Sequence, residues 1–417
     1  MPADASAPGR PASSAGRLRV GIHFNIHANW LTRTLLGVAN YGRSVGGWIL
    51  VQPIGRWGSE SHGDEGIDQA LHGVVVQREE DAQYWARRGV PSVIVSAGHV
   101  GTAAPLVIVD QEALGAMAAD YCIDRGFTTL AAFGAHDAGA EFDYARQRVE
   151  GFVARCRARG LEAGCFVEGD RTRPPAAWTL MNQLADLADF MAARPRPLAL
   201  MPFDAEHANR AVFAAQLAGL RIPEDLAIVC AGEDALLFES VDPTISGVSF
   251  DTERLGFEAA RLLHHVIEGR PAPRRVTIKP SGVVSRRSSS TFAYADAAVN
   301  EAVRHVWEHV DEALEVRDVA AAVDLSERTL LRKFRAVLGR CPADELRRAR
   351  VETAKRLLRS TTLPLISVAA ESGFASQSQM SRYVKQAEGL TPAQFRARHR
   401  PDGGTPTPAP PLRGRTT

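Results

Sequence analysis

The chain has 417 residues, too many for one ordinary hydrophobic core, so two or three domains are expected. A composition of 45% apolar and 23% charged residues is that of a globular protein and excludes a fibrous or wholly disordered chain. The net charge of +1 hides an asymmetry: residues 311–400 hold 17 Lys and Arg against 11 Asp and Glu, leaving 32 basic and 37 acidic residues elsewhere, so a polyanionic partner is expected at that end alone.

Residues 1–17, MPADASAPGRPASSAGR, lack the apolar centre of a signal peptide and read as a disordered leader. Residues 401–417, PDGGTPTPAPPLRGRTT, read as a disordered tail. No apolar run approaches the roughly 18 residues that span a bilayer, so a cytoplasmic protein without a membrane partner is expected. Cys122, Cys156, Cys165, Cys230 and Cys341 show no CxxC spacing and fit reduced core residues rather than a disulfide frame or a zinc site. His23 and His27 lack a third ligand at a recognisable spacing, so neither a metal nor a cofactor is expected.

From Leu18 onward, apolar β-rich runs recur at Leu18–Phe24, Gly47–Gln52, Gly73–Gln77, Ser92–Ala97 and Val107–Asp110. They continue at Thr128–Gly134, Gly164–Glu168, Leu198–Pro202 and Ala227–Gly232. Stretches of helical length lie between most of them: Leu31–Gly42, Glu112–Arg125, Arg146–Arg159, Ala176–Ala193 and Asp204–Gly219. Near-continuous apolar strands alternating with helices indicate parallel sheets covered on both faces. Nine such strands before residue 235 are many for one sheet, so a two-lobed α/β domain is expected.

In open α/β sheets, ligands sit beyond the carboxyl ends of the strands. Asn25, Asn29 and Trp30 follow the first strand, and later strands end at Asp110, Asp204 and the pair Glu233-Asp234. Arg148 lies on the helix after the strand that ends at Gly134. Carboxylates accept hydrogen bonds from hydroxyls, Arg donates to them, and an aromatic ring covers the apolar face of a sugar, so a polyol suits this set. The alternative for each strand-end Asp is an N-cap of the following helix.

The segments VIVDQEALGAMAADYCIDRG, RQRVEGF, FDAEHANRAVFAAQLAGLRIPEDLAIVCAGED and SFDTERLGFEAARLLHHVIEG resemble, in order, the periplasmic-binding-protein-like sensor of lac-repressor-type regulators. The likeness runs from about residue 18 to 285, and no helix-turn-helix precedes the first strand, where that family keeps its DNA reader. It implies crossings between lobes near residues 126, 246 and 270. It also implies effector contacts at Arg148, in the pattern Arg-x-x-Gly, at Asp204, and at Glu233 or Asp234, where the family usually has Asp first.

The C-terminal third supplies a reader. VRDVAAAV (316–323) has the length of a short amphipathic helix, Asp324-Leu325-Ser326 makes a turn, and Ser326 is a fitting N-cap for ERTLLRKFRAVL, which ends at Gly339. Leu330, Phe334 and Leu338 recur at steps of four and define a core face, leaving Arg328, Arg332 and Arg335 elsewhere, as a helix entering a major groove requires. A long helix, PADELRRARVETAKRLLRS, follows, and then the arrangement repeats: Leu365–Glu371, a turn at Ser372-Gly373-Phe374, and SQSQMSRYVKQAEG, before LTPAQFRARHR closes the module.

Residues 298–400 resemble the AraC/XylS regulators, and AKRLLRSTTLPLISVAAESGFASQSQMSRYVKQAEGLTPAQFR follows that family's signature nearly end to end. Met380 and Val384 stand where the family has Phe, and packing should survive because both are apolar. The resemblance implies base contacts from Arg328, Leu331 and Arg332, and from Gln377, Ser378, Gln379 and Arg382, with phosphate contacts from Lys333, Arg335 and Lys385.

The expected organisation is a sensor over 18–287 and an all-α reader with two helix-turn-helix units over 288–400. IKPSGVVSRRSSST (278–291) falls where a linker is expected, although strand-like Val276–Lys279 can still belong to the sensor. The expected partners are operator DNA, a small sugar such as a pentose, a second copy of the chain and RNA polymerase, with the protein on the bacterial nucleoid. An alkyl-DNA repair protein with a DNA-binding appendage would need a reactive Cys in a Pro-Cys-His setting, which none of the cysteines has. No Gly-x-Ser-x-Gly elbow, P-loop or HExxH is present, so no enzyme is expected. A pure sugar receptor is disfavoured by the reader itself.

Overall fold

The computed structural model describes residues 17–24, 29–51, 71–96, 104–135, 143–168, 179–232 and 234–399. Twelve strands lie among them. The first five are β1 (Leu18–His23), β2 (Trp48–Val51), β3 (Gly73–Val76), β4 (Ser92–Ser96) and β5 (Leu106–Val109). Then come β6 (Thr129–Ala135), β7 (Ala163–Glu168), β8 (Leu198–Pro202), β9 (Leu226–Cys230), β10 (Ser246–Phe250), β11 (Arg275–Ile278) and β12 (Pro280–Val284). Helices α1 (Asn29–Val45), α2 (Glu79–Arg87), α3 (Gln111–Ile123), α4 (Asp143–Ala158), α5 (Leu180–Ala192), α6 (Ala205–Leu217), α7 (Ala235–Glu239) and α8 (Thr252–Ile267) accompany them.

Two compact units result. One comprises the described parts of Met1–Ser96, Gly101–Ile108 and Thr252–Val276; the other comprises those of Val109–Asp251 and Thr277–Thr417. The first holds the sheet β11-β5-β4-β3-β1-β2, in which β2, β1, β3, β4 and β5 pair in parallel. GVVV of β3 and LVIV of β5 are buried at every position, the mark of strands covered on both faces. Helices α1 and α8 meet backbone to backbone: a Cβ on Gly37 would lie 1.9 Å from the Glu253 carbonyl oxygen, and one on Gly256 would lie 1.8 Å from that of Thr34.

The second unit holds the sheet β12-β10-β9-β8-β6-β7, parallel except for β12, which runs antiparallel to β10. Its core gathers Phe133, Leu187, Leu200, Ile228 and Phe238. The stretch expected as a linker is therefore partly a strand. It is pinned further by Ser288, whose Oγ donates to the Ile228 carbonyl at 2.7 Å and accepts from the Ser246 amide at 2.9 Å. The chain passes between units at 108/109, 251/252 and 276/277 rather than near 126, 246 and 270. The first difference is the largest, because α3 already belongs to the second unit through its tight packing on α4.

The C-terminal helices belong to this second unit as well: α9 (Ala297–Glu308), α10 (Val316–Ala322), α11 (Glu327–Leu338), α12 (Pro342–Ser360), α13 (Leu365–Glu371), α14 (Gln377–Glu388) and α15 (Pro392–His399). Ser326 and Ser376 cap α11 and α14, accepting from the amides of Thr329 and Gln379, and Gly339 and Gly389 end the same helices in the left-handed conformation. Gly373, at φ +71°, makes the turn before α14. One core surrounds Leu330 and Phe334 and a second surrounds Met380, Val384 and Phe395, so the two residues that replace Phe are fully packed. Among the described residues no helix is long and apolar enough to cross a membrane.

Candidate effector site and nucleic-acid interface

Arg148 projects from α4 into the second unit and is only 6% exposed. Its Nε donates to Gln111 Oε1 at 2.7 Å and its Nη1 to the Phe203 carbonyl at 2.6 Å. The Tyr144 ring lies 5.1 Å from the guanidinium, and a Cβ on Gly232 would come within 3.0 Å of Nη1. Burial lowers the Arg148 pKa from its ordinary value, partly offset by neighbouring Cys230, Tyr144 and Asp204.

Asp204 stands just past β8. Its Oδ1 accepts from the His207 amide at 2.9 Å and lies 2.7 Å from His207 Nδ1, while Tyr144 donates to Oδ2 at 3.4 Å. Burial alone would raise the Asp204 carboxyl, but the bonds from His207 and the charge of Arg148 outweigh it and hold the group below its usual range. Burial, reinforced by Asp204, pushes the Tyr144 hydroxyl upward. At neutral pH the site thus presents a carboxylate, a guanidinium, a phenol and a carboxamide at the carboxyl end of a parallel sheet.

The capping alternative holds for all three described strand-end aspartates. Asp110 accepts from the Ala113 amide, Asp204 from that of His207 and Asp234 from that of Leu237. A cap uses one acceptor position of a carboxylate, so it leaves the chemistry of the group intact. Asn25 and Glu233 lie outside the described residues, as does the side chain of Asn29. Trp30 is half-buried on α1 in the first unit. Sequence reasoning missed Gln111, Tyr144 and His207. The last two sit four and three residues from Arg148 and Asp204, so helical spacing could have found them.

On α11, Arg328, Arg332 and Arg335 are exposed and Leu331 is half-buried. Lys333, expected at a phosphate, is half-buried, and its ammonium is paired with Asp296, the N-cap of α9. On α14, Gln377, Ser378, Arg382 and Lys385 are exposed, while Gln379 Oε1 accepts from the Ala375 amide at 3.1 Å. Arg382 and Arg347 flank the Tyr383 ring at 4.7 and 4.9 Å. A groove of about 540 Å³, lined among others by Glu327, Arg347, Arg350, Gln379 and Tyr383, joins the start of α11 to α14.

Residues 119–289 match the family model of a periplasmic binding protein-like domain, and residues 319–398 match that of a helix-turn-helix domain. The xylose operon regulatory protein of Escherichia coli K12 is 24% identical over 392 residues, covering 91% of this chain and 97% of that protein. The arabinose operon regulatory protein of the same organism is 34% identical over 103 residues, 24% of this chain and 35% of its own length. The solved structure of the xylose-binding transcription activator XylR aligns with a TM-score of 0.58 at 21% identity, over 92% of this chain and 98% of that one.

Proposed function

We propose that this chain, an AraC-type transcription regulator with a periplasmic-binding-protein-like domain ahead of its helix-turn-helix domain, takes a small sugar of pentose size beside Arg148 and so controls its own DNA binding. The observation that carries the reading is the buried Arg148 beside the half-buried Asp204 at the carboxyl end of a strand in a parallel sheet. Arg148 and Gln111 can donate to sugar hydroxyls, and Asp204 can accept from them. A pentose is chosen because the relatives described above are named for xylose.

In this reading residues 18–287 form the sensor and 288–400 the reader. Arg328, Arg332 and Arg382 address guanine and Gln377 addresses adenine, each worth about 1–3 kcal/mol of discrimination. Arg335 and Lys385 engage phosphates and position the module. Two helix-turn-helix units read successive major-groove faces, and a dimer formed through the sensor covers paired half-sites in contact with RNA polymerase. The protein works on the nucleoid in the cytoplasm and carries out no catalytic step. The sugar shifts the balance between DNA-binding states by its differential affinity for them.

Calorimetry of the full chain against D-xylose, L-arabinose, D-ribose and D-glucose, paired with gel shifts on the DNA upstream of its gene, tests this. Saturable heat from a pentose and a pentose-dependent change in DNA affinity support it. A folded protein that gives no heat with any of the four overturns it.

A further inference from the structure

We infer that α3 passes occupancy of the Arg148 site to the reader, and that Asp124, Arg125 and Gly126 at its C-terminal end are the positioning residues through which it does so. The inference rests on the effector reading above. Helix α3 has 13 residues, so its ends lie about 20 Å apart. Each end is fixed to a different function.

At its start, Gln111 is 1% exposed and holds Arg148 Nε. Along its length, α3 cannot move independently of α4, the helix that carries Arg148. A Cβ on Gly115 would lie 1.9 Å from the Arg148 carbonyl oxygen, and one on Gly151 would lie 2.1 Å from that of Glu112. Beyond these contacts, Arg159, in the turn that follows α4, binds Asp120 at 2.9 Å and Asp124 at 3.0 Å.

Past the end of α3, the same chain becomes the seat of the reader. The Arg125 guanidinium is buried, 3.5 Å over the Tyr121 ring, and faces Phe292 and Trp307 at 5.5 and 5.4 Å. The Arg125 carbonyl accepts from the Ala293 amide at 2.8 Å, and the Asp124 carbonyl accepts from the Tyr294 hydroxyl. Asp124 Oδ2 lies 3.8 Å from Arg348 Nη1, and Arg348 Nη2 donates to the fully buried Glu345, which also receives the Trp307 indole N–H at 3.0 Å. Gly126 has φ +88°, and a Cβ there would stand 2.4 Å from Tyr294. Trp307 sits on α9, whose capping residue Asp296 holds Lys333 of the reading helix α11. Packed contacts therefore run without a gap from Arg148 through α3 to α11. Close-packed elements of this kind switch between discrete arrangements rather than deforming smoothly.

The test uses full-length Gly126→Ala, whose new methyl must displace Tyr294, and Arg348→Gln, which keeps Gly126 and its backbone. Neither residue touches the Arg148 site or the exposed face of α11 or α14. With D-xylose as the probe, both variants should keep sugar affinity within about twofold of the parent, while the ratio of DNA affinities with and without sugar falls towards one. A parental ratio in either variant that melts normally overturns the inference. A sugar-free arm separates this from the effector reading. Gln111→Leu should change hydrogen exchange across Phe292–Trp307 by about tenfold in the parent and leave it unchanged in the Arg348→Gln background. If D-xylose gives no heat with the parent, the effector reading fails and this arm decides alone: an unchanged exchange rate in the parent overturns the coupling.

Discussion

Gln111 and Arg148 are buried on neighbouring helices with 2.7 Å between the amide oxygen and the guanidinium Nε. Arg148→Ala would leave both Gln111 Oε1 and the Phe203 carbonyl without this partner, at about 1–3 kcal/mol each. The expected outcome is a ten- to hundredfold loss of sugar affinity by calorimetry together with a lower melting temperature. Asp204→Asn, which keeps the shape of the site and its cap, should lose sugar affinity and melt only moderately below the parent, because the charge that His207 and Arg148 stabilise is lost. Parental affinity in a folded Asp204→Asn variant would show that other groups hold the ligand.

Gly115→Ala places a methyl where the Arg148 carbonyl oxygen already lies, 1.9 Å away. Helices α3 and α4 would have to separate, and overpacking of this sort costs about 1–3 kcal/mol. Thermal unfolding should show that loss, whereas Gly160→Ala, with no atom near its new Cβ, should show only the backbone strain of φ +75°.

Glu345 gives the reader a pH dependence of known sign. Burial pushes its carboxyl up, but Arg348, Arg340 and the Trp307 N–H outweigh burial and leave the pKa below the usual value of about 4.3. Its contribution is therefore complete above about pH 4.3 and is lost as pH falls through the lower, folded-state value. Glu345→Gln should destabilise the fold at pH 7 by about 3 kcal/mol, since Arg340 and Arg348 lose a buried counter-ion. Its melting temperature should then fall less than the parent's as pH drops below about 4.3.

Arg332→Ala and Arg382→Ala should each weaken binding to the operator by about 1–3 kcal/mol and relax preference at one base pair, as read by competition gel shifts. Lys333 should behave otherwise, because its ammonium is paired with Asp296. Lys333→Ala should lower the melting temperature and leave the salt slope of DNA binding nearly unchanged, while Lys385→Ala should reduce that slope by about one. A full unit lost in Lys333→Ala would show that its ammonium leaves Asp296 for phosphate.

The reader was legible because its signals are local. Ser326 and Ser376 start helices, Gly339, Gly373 and Gly389 supply the positive φ that turns and helix ends need, and apolar residues at steps of four mark the buried faces. The strands of the sensor were legible for the same reason, since a Val-rich run such as GVVV carries its burial in its composition. Tertiary structure alone decided the remainder. Nothing in the order of residues tells that Lys333 turns to Asp296, 37 positions earlier, instead of outward, or that IKPSGVVSRRSSST closes a sheet edge. Gly126 reads as an ordinary helix end until Tyr294, far along the chain, is packed on it. Such pairings depend on which surfaces the folded backbone brings within about 4 Å, a distance that side-chain packing senses and sequence separation does not encode.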